Sequence, residues 1–542
     1  MKRTILASVS ALAMVAAAAS AQAAGDQPRA SDETRRLATL PLGAEFTGLE
    51  LTTEGHLFFN VQHPADSNAA PFNRATVGGI VDADINRLDR FFTPVTVPTG
   101  RDEKQTVRTA VGDYQIIGQE GQFAGKQVAG LGQITDIAGE EVIKQSNDPD
   151  FNGFVRIAKD EGYLFTNWED RPGGMSRMHI RMNDQGRWEV VDGDAQMLDF
   201  AGVNGTWVNC FGSVSPWNTP LTSEELYFAN TADWNNPNYD TEWNAPDPMT
   251  KYTAEGNYPN PYDYGYIVEI KTPKTDPTPD KHYAMGRFSH ENSVVMPDNK
   301  TVYMSDDGTG TVFFKFVADE AGDLSSGTLY AAKATQSGTD VPAEASFKID
   351  WIKLAHGSDQ QVAQWIREYD DVDKSDYTEG ESSYVSDADI QAWAEGAADD
   401  DRAAFLESRK AAAAKGATDE FRKMEGVNIN YRGALTGEVP QMYMAMSEVG
   451  KTMADDKGDI QLQANPCGAV YRMKLTEDYN VTHMVPAVAG GPFDPKAASN
   501  QCSVDNIANP DNVLVMDDGR VVIGEDTGLH ENNMLWVYDP EA

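Results

Sequence analysis

Residues 294–317 read VVMPDNKTVYMSDDGTGTVFFKFV: an apolar run, an Asp-Asn turn, a second run ending on acids, a polar loop, and a third run. Short apolar or alternating runs bounded by Gly, Asn, Asp and Pro clusters are the mark of antiparallel strands. The same grammar returns at 513–539, VLVMDDGRVVIGEDTGLHENNMLWVYD, with Asp517-Asp518-Gly519 as the turn. MYMAMSE (442–448) followed by AVYRMKL (469–475) fits its second half across a longer loop. A strand unit repeated at irregular spacing predicts an all-β protein of the β-propeller type, whose units tolerate insertions. A large β-sandwich is the alternative that the pattern leaves open.

One stretch breaks the β pattern. Residues 386–423, SDADIQAWAEGAADDDRAAFLESRKAAAAKGATDEFRK, are Ala-rich and space Ile390, Trp393 and Ala397 helically, with Phe405 further on. Ser386 followed by Asp389 reads as an N-cap. The expectation is a helical insertion near 386–423 that covers a blade edge.

The first 25 residues combine Lys2-Arg3, an apolar run from Ile5 to Ala19, and Ala21-Gln22-Ala23. That is the layout of a signal peptide over 1–23, leaving residues 24–542 as one exported domain, periplasmic or extracellular. The apolar run is too short to span a bilayer, so no membrane span is expected. Formal charge is −40, from 84 acids against 44 bases, which argues against nucleic-acid partners. It suits hard cations such as calcium, which take carboxylate oxygens, and equally suits an exported protein kept soluble by its charge. Of three cysteines, Cys467 and Cys502 lie in loop-like contexts and are expected to pair, leaving Cys210 free.

In the repeat, acids sit where the second strand of each pair ends: Glu169, Asp306-Asp307, Glu448 and Glu525-Asp526. Such strand ends converge on one mouth of a propeller channel. Crowded there, carboxylates could not all ionise without bound cations; pointing outward, they would be a solvated rim. Both readings stand at this point.

Residues 209–225, NCFGSVSPWNTPLTSEE, resemble the N-C-x-G-x-x-x-P-W-x-T-x-L-T-x-E-E block of PhoX-type secreted alkaline phosphatases. GRFSHENSVV (286–295) resembles that family's G-R-F-x-H-E, and YMSDDGTGTVFFKFV (303–317) its aspartate pair before an aromatic strand. GATDEFRKMEGVNIN (416–430), NPDNVLVMDDGRVVIGEDTG (509–528) and GAEFTGLELTTEGHLFFNVQHPAD (43–66) are similar to further blocks. Two positions depart from the pattern: TNWED (166–170) has Trp168 where His is usual, and the Arg-x-Glu reads Lys423-Met424-Glu425.

The resemblance implies a six-bladed propeller and an exported, monomeric, metal-dependent phosphomonoesterase acting on small phosphorylated substrates. It implies two Fe(3+) ions and Ca(2+) as cofactors. Carried over residue by residue, Cys210 would ligate iron as thiolate, and Glu225, Glu291, Asp307 and Glu425 would supply oxygens, with Glu169 and Glu45 as further ligands. Lys423 or Arg287 would neutralise the phosphate. The rival readings are a calcium-stabilised binding propeller without catalysis, and a diesterase or lactonase on the same scaffold.

Overall fold

The computed structural model describes residues 33–123, 129–225, 230–238, 247–252, 258–431 and 439–542. The expected signal peptide at 1–23 lies outside the described residues.

Residues 294–317 form what their pattern predicts. The strand His290–Val295 pairs antiparallel with Thr301–Asp306, that with Phe314–Glu320, and that with Asp323–Gln336. The same four-strand meander recurs around the chain, and each begins with an inner strand. In chain order the inner strands are β1 (Glu45–Leu51), β2 (Pro149–Ala158), β3 (Asn209–Val214), β4 (His290–Val295), β5 (Met424–Ile429) and β6 (Pro510–Val515). Each packs on the next and β6 packs on β1, which closes a ring about a central channel. The fold is a β-propeller. Its last unit takes its outer strand from the other end of the chain, Thr34–Thr39 pairing with Met534–Tyr538.

Side-chain amides tie neighbouring inner strands around the ring. The Gly48 amide donates to Asn512 Oδ1 at 2.8 Å, and Asn152 Nδ2 donates to the Gly48 carbonyl at 3.0 Å. Asn292 exchanges two hydrogen bonds with the Val427 backbone, at 2.9 and 3.0 Å. Gly48 itself sits at φ +64°, and a Cβ there would lie 2.2 Å from the Asp150 carbonyl oxygen. Only glycine lets β1 approach β2 that closely.

Because each meander is sandwiched between neighbours, its inner strands are covered on both faces; Pro510–Val515 and Val521–Glu525 are buried throughout. The long strand Phe347–Ser358 bridges two units by pairing with Asp323–Gln336 and Val481–Ala489. After it come α1 (Asp359–Arg367), α2 (Asp387–Ala394), α3 (Arg402–Leu406) and α4 (Ser408–Ala414). Ser386 and Asp389 form the expected capping box, and Ile390, Trp393 and Phe405 are buried. Helix α1 lies upstream of the expected segment, although Val362, Trp365 and Ile366 carry its apolar face and Ser358 caps it. At the other end, helix gives way to a short strand, Phe421–Arg422, paired with Thr309–Thr311.

Cys467 and Cys502 are disulfide-bonded and Cys210 is free and buried. Among the described residues, no helix is long and apolar enough to cross a membrane.

Candidate metal centre

The ring brings two side chains from each unit to one mouth of the channel. The first comes from the start of the inner strand: Glu45, Asp150, Cys210, Glu291, Glu425 and Asp511. The second follows the end of the next strand: His63, Glu169, Glu225, Asp307, Ser447 and Asp526. The local cause is a recurring bulge. Asn209 pairs with Glu224, His290 with Asp306, Met424 with Met446 and Pro510 with Glu525, and the register then slips. A bulge bends the strand and re-aims the side chain beside the break.

All of these but Ser447 line a cavity of about 490 Å³. The Cys210 sulfur lies 3.1 Å from Glu291 Oε2 and 3.4 Å from Asp150 Oδ2, two acceptors for its single thiol proton. Three triads of ligand atoms lie within 4.8 Å of one another and share members. They are Asp150/Glu169/Cys210, Cys210/Glu225/Glu291 and Glu291/Glu425/Asp511. Lys423 Nζ stands 2.8 Å from Asp307 Oδ2 and 2.9 Å from Glu425 Oε1, and Ser447 Oγ donates to Glu425 at 2.6 Å.

Without cations this cluster resists ionisation. Burial, reinforced by neighbouring acids, pushes Asp150, Glu225, Glu291 and Asp511 well above the carboxylate range. Glu45 is pushed up to about 8, Glu169 and Glu425 to about 7. Burial first, then Glu169 and Glu291, raises the Cys210 thiol. Burial, the largest influence, would raise Asp307 too, but the Lys423 ammonium together with hydrogen bonds from Glu225 and the Gly308 backbone holds this carboxyl below its ordinary value.

Asp150 Oδ1, Glu291 Oε1 and Asp307 Oδ1 are buried with no hydrogen-bond partner among the described residues. Buried charged oxygens without partners are costly. Oxygen-rich triads, two of them sharing one sulfur, fit multivalent cations, hard ones at the carboxylates and a thiolate-accepting one at Cys210.

All seven residues expected as ligands line this cavity, as does Lys423. Arg287 does not, and its expected phosphate role is corrected. Its guanidinium is buried outside the cavity, donating to the carbonyls of Pro261, Tyr264 and Leu406 and to Thr231 Oγ1 at 3.0–3.2 Å. Glu448 also turns away from the mouth, pairing with Arg422. Trp168 is core, its indole N–H donating to Ser176 Oγ at 2.9 Å. Asp150 and Asp511 join the seven at the mouth, beyond the ligand set that the resemblance implies. Their shared signal is local: Pro149-Asp150-Phe151-Asn152 and Pro510-Asp511-Asn512 open two inner strands alike.

The helical insertion reaches the centre through Arg409 on α4. Its guanidinium pairs with both oxygens of the buried Asp306 and donates to the Asp307 carbonyl at 3.0 Å. Arg409→Ala leaves Asp306 buried and unpaired, a loss of about 3 kcal/mol. Thermal unfolding should register that loss, and metal content per chain should fall as Asp307 loses its anchor. Unchanged metal content would separate the helices from the centre.

Residues 177–538 match the family described as alkaline phosphatase PhoX. Among solved structures, the chain is similar to Pseudomonas fluorescens PhoX in complex with vanadate, a transition state analogue. The TM-score is 0.51 at 19% identity, covering 76% of this chain and 80% of that one. At that identity the likeness is one of fold. More distant are the Trichoderma reesei Carbohydrate-Active Enzymes Family AA12 protein and Trypanosoma rangeli sialidase. The first has a TM-score of 0.38 at 11% identity, covering 94% of this chain and 95% of that one. The sialidase has 0.36 at 7%, covering 93% and 58%. No curated protein matches the chain.

Proposed function

We propose that this chain, which belongs to the alkaline phosphatase PhoX family and is a phosphoric ester hydrolase, is an exported, monomeric phosphomonoesterase working at the channel mouth around Cys210. Family membership decides against the non-catalytic binding propeller, and phosphate esters are its substrates. We take the four-stranded meanders as six blades. The observation that carries the reading is the chain of ligand triads through Cys210 and Glu291 with Lys423 at its edge.

The enzyme is metal-dependent. Iron would be held at Cys210 with Glu225, Glu291, Asp150 and Glu169, and calcium at the remaining carboxylates, Glu425, Asp511, Asp307, Glu45 and Asp526. Bound there, such cations offset the acidic field and polarise phosphoryl oxygens. A phosphate dianion would otherwise be repelled by this wall of acids.

Lys423 adds a cationic donor. Its backbone is at φ +50°, an uncommon conformation for lysine, and its N–H donates to the Gly308 carbonyl at 2.8 Å. That bond pins the residue beside Asp307, so its ammonium is held at the cavity edge rather than ranging through solvent. Backbone strain kept in place by surrounding structure is a mark of functional sites. The ammonium can bind and orient a phosphoryl oxygen as a point charge, where a guanidinium would grip two.

Lys423→Ala is expected to lower kcat/KM for p-nitrophenyl phosphate by about 10²- to 10³-fold, the usual cost of one lost donor. Lys423→Arg should retain most activity. Full activity in the alanine variant would remove Lys423 from the mechanism.

A further inference from the structure

The channel has a second end. The metal cavity lies at the starts of the inner strands. A separate cavity of about 310 Å³ lies where β1, β3, β5 and β6 finish, and the two share no lining residue. Glu45 at one end of β1 and Glu50 near the other stand roughly 15 Å apart along the strand. Leu49, Phe151, Phe211, Ile429, Leu514 and Met516 wall this second cavity, and all are buried. They belong to three separate core clusters, which face one another across the channel end. Tyr431 closes the side next to β4, its hydroxyl donating to the Val295 carbonyl at 2.5 Å.

Polar groups in the lining are few. Glu50 is half-buried and accepts a hydrogen bond from the Phe154 backbone, and among the described residues it pairs with no base. Burial pushes its carboxyl up to about 7. Ser213 is only 8% exposed, and its Oγ has no hydrogen-bond partner among the described residues. Asp517 is the other charged residue of the lining, which holds no Lys, Arg or His.

A largely apolar wall with a few polar groups is the build of a small-molecule site, and the volume lies within the usual range. Charge narrows the ligand. An anion would meet two acids. A bare hard cation would need six or more oxygens, which this apolar wall does not offer. A neutral apolar molecule would strip water from Glu50 and Ser213 and return no hydrogen bond. An ammonium on an apolar body gives Glu50 a counter-charge and Ser213 a donor, while its body is buried against the wall. The Phe151, Phe211 and Tyr431 rings add faces that attract a cation.

We infer that this far end of the channel binds a small organic cation, a protonated amine on an apolar body of about one aromatic ring, with its ammonium at Glu50. The site is independent of the reaction at the metal mouth.

The probe is 2-phenylethylamine, protonated at neutral pH, titrated calorimetrically into the metal-loaded protein. Its neutral counterpart of the same shape is 2-phenylethanol. The amine should bind about tenfold more tightly than the alcohol, the value of one hydrogen bond to a charged group. Glu50→Gln keeps the side chain's shape and should bring the two within about twofold. Leu51→Trp, filling the cavity from its half-buried rim, should abolish binding of both. Equal binding of the two probes by the wild type, or binding of neither, overturns the inference. So does a preference for the amine that survives Glu50→Gln or Leu51→Trp, since that would place the amine at another acidic surface.

Discussion

Metal removal by a chelator is expected to abolish phosphatase activity and to leave a protein that weakens as pH rises. The cause is the crowd of buried acids at the mouth. Glu45, Glu169 and Glu425 titrate near 7 to 8 without metal, against an ordinary value of about 4.5. A carboxyl raised in this way binds its proton more tightly folded than unfolded. Its stabilising contribution is complete below about pH 4.5 and is lost as pH climbs through about 8. Each unit of displacement is worth about 1.4 kcal/mol, so the three together reach on the order of 10 kcal/mol. The melting temperature of metal-free protein should therefore fall steadily between pH 5 and pH 8.5. The metal-loaded form should hold nearly level across that range, since its carboxylates stay ionised opposite cations. A flat profile for the metal-free form would show that the acids are solvated rather than crowded.

Cys210→Ala is the second large effect. Changing a group that merely orients a metal ligand costs about 10- to 100-fold, so loss of the shared sulfur should exceed about 100-fold in kcat/KM. The geometry explains the scale: Cys210 belongs to two of the three triads, and its removal breaks both. If the thiolate holds iron, the same substitution should also erase the visible absorption of a thiolate-to-ferric complex and lower the iron content per chain. Folding should survive, because Cys210 carries no disulfide and alanine fits within its volume. A colourless wild type with full activity would exclude iron at this position.

The two experiments separate the acids from the thiol. Chelation reports on the field of the whole mouth, whereas Cys210→Ala removes one donor and leaves every carboxylate in place. Loss of colour with a preserved melting temperature would place iron at the thiol and the structural cations elsewhere in the ring.

Much of this was legible in the chain itself. Apolar runs separated by Asn, Asp and Gly turns determine antiparallel meanders, because strand and turn preferences act locally. Ser386, Asp389, Ile390 and Trp393 determine a capped helix for the same reason. The types of donor that reach the mouth were legible too, since acids recur at the ends of second strands.

The family resemblance names Glu225 and Asp307, but why that member of each neighbouring pair faces the cavity is decided by tertiary structure. Asp306 is taken by Arg409, Glu224 by Lys281 at 2.9 Å, and Glu525 by His530 at 3.0 Å. Asp307, Glu225 and Asp526 are the members left to the cavity. Adjacent residues on a strand point to opposite sides, so the choice depends on the phase of the pleat and on where the bulge falls. That phase is set by pairing with the inner strand, and the neutralising partners come from 5 to 103 residues away. Arg287 shows the same limit: its motif names a cation, and only the packing of α3 and the 261–264 turn turns it inward, away from the channel.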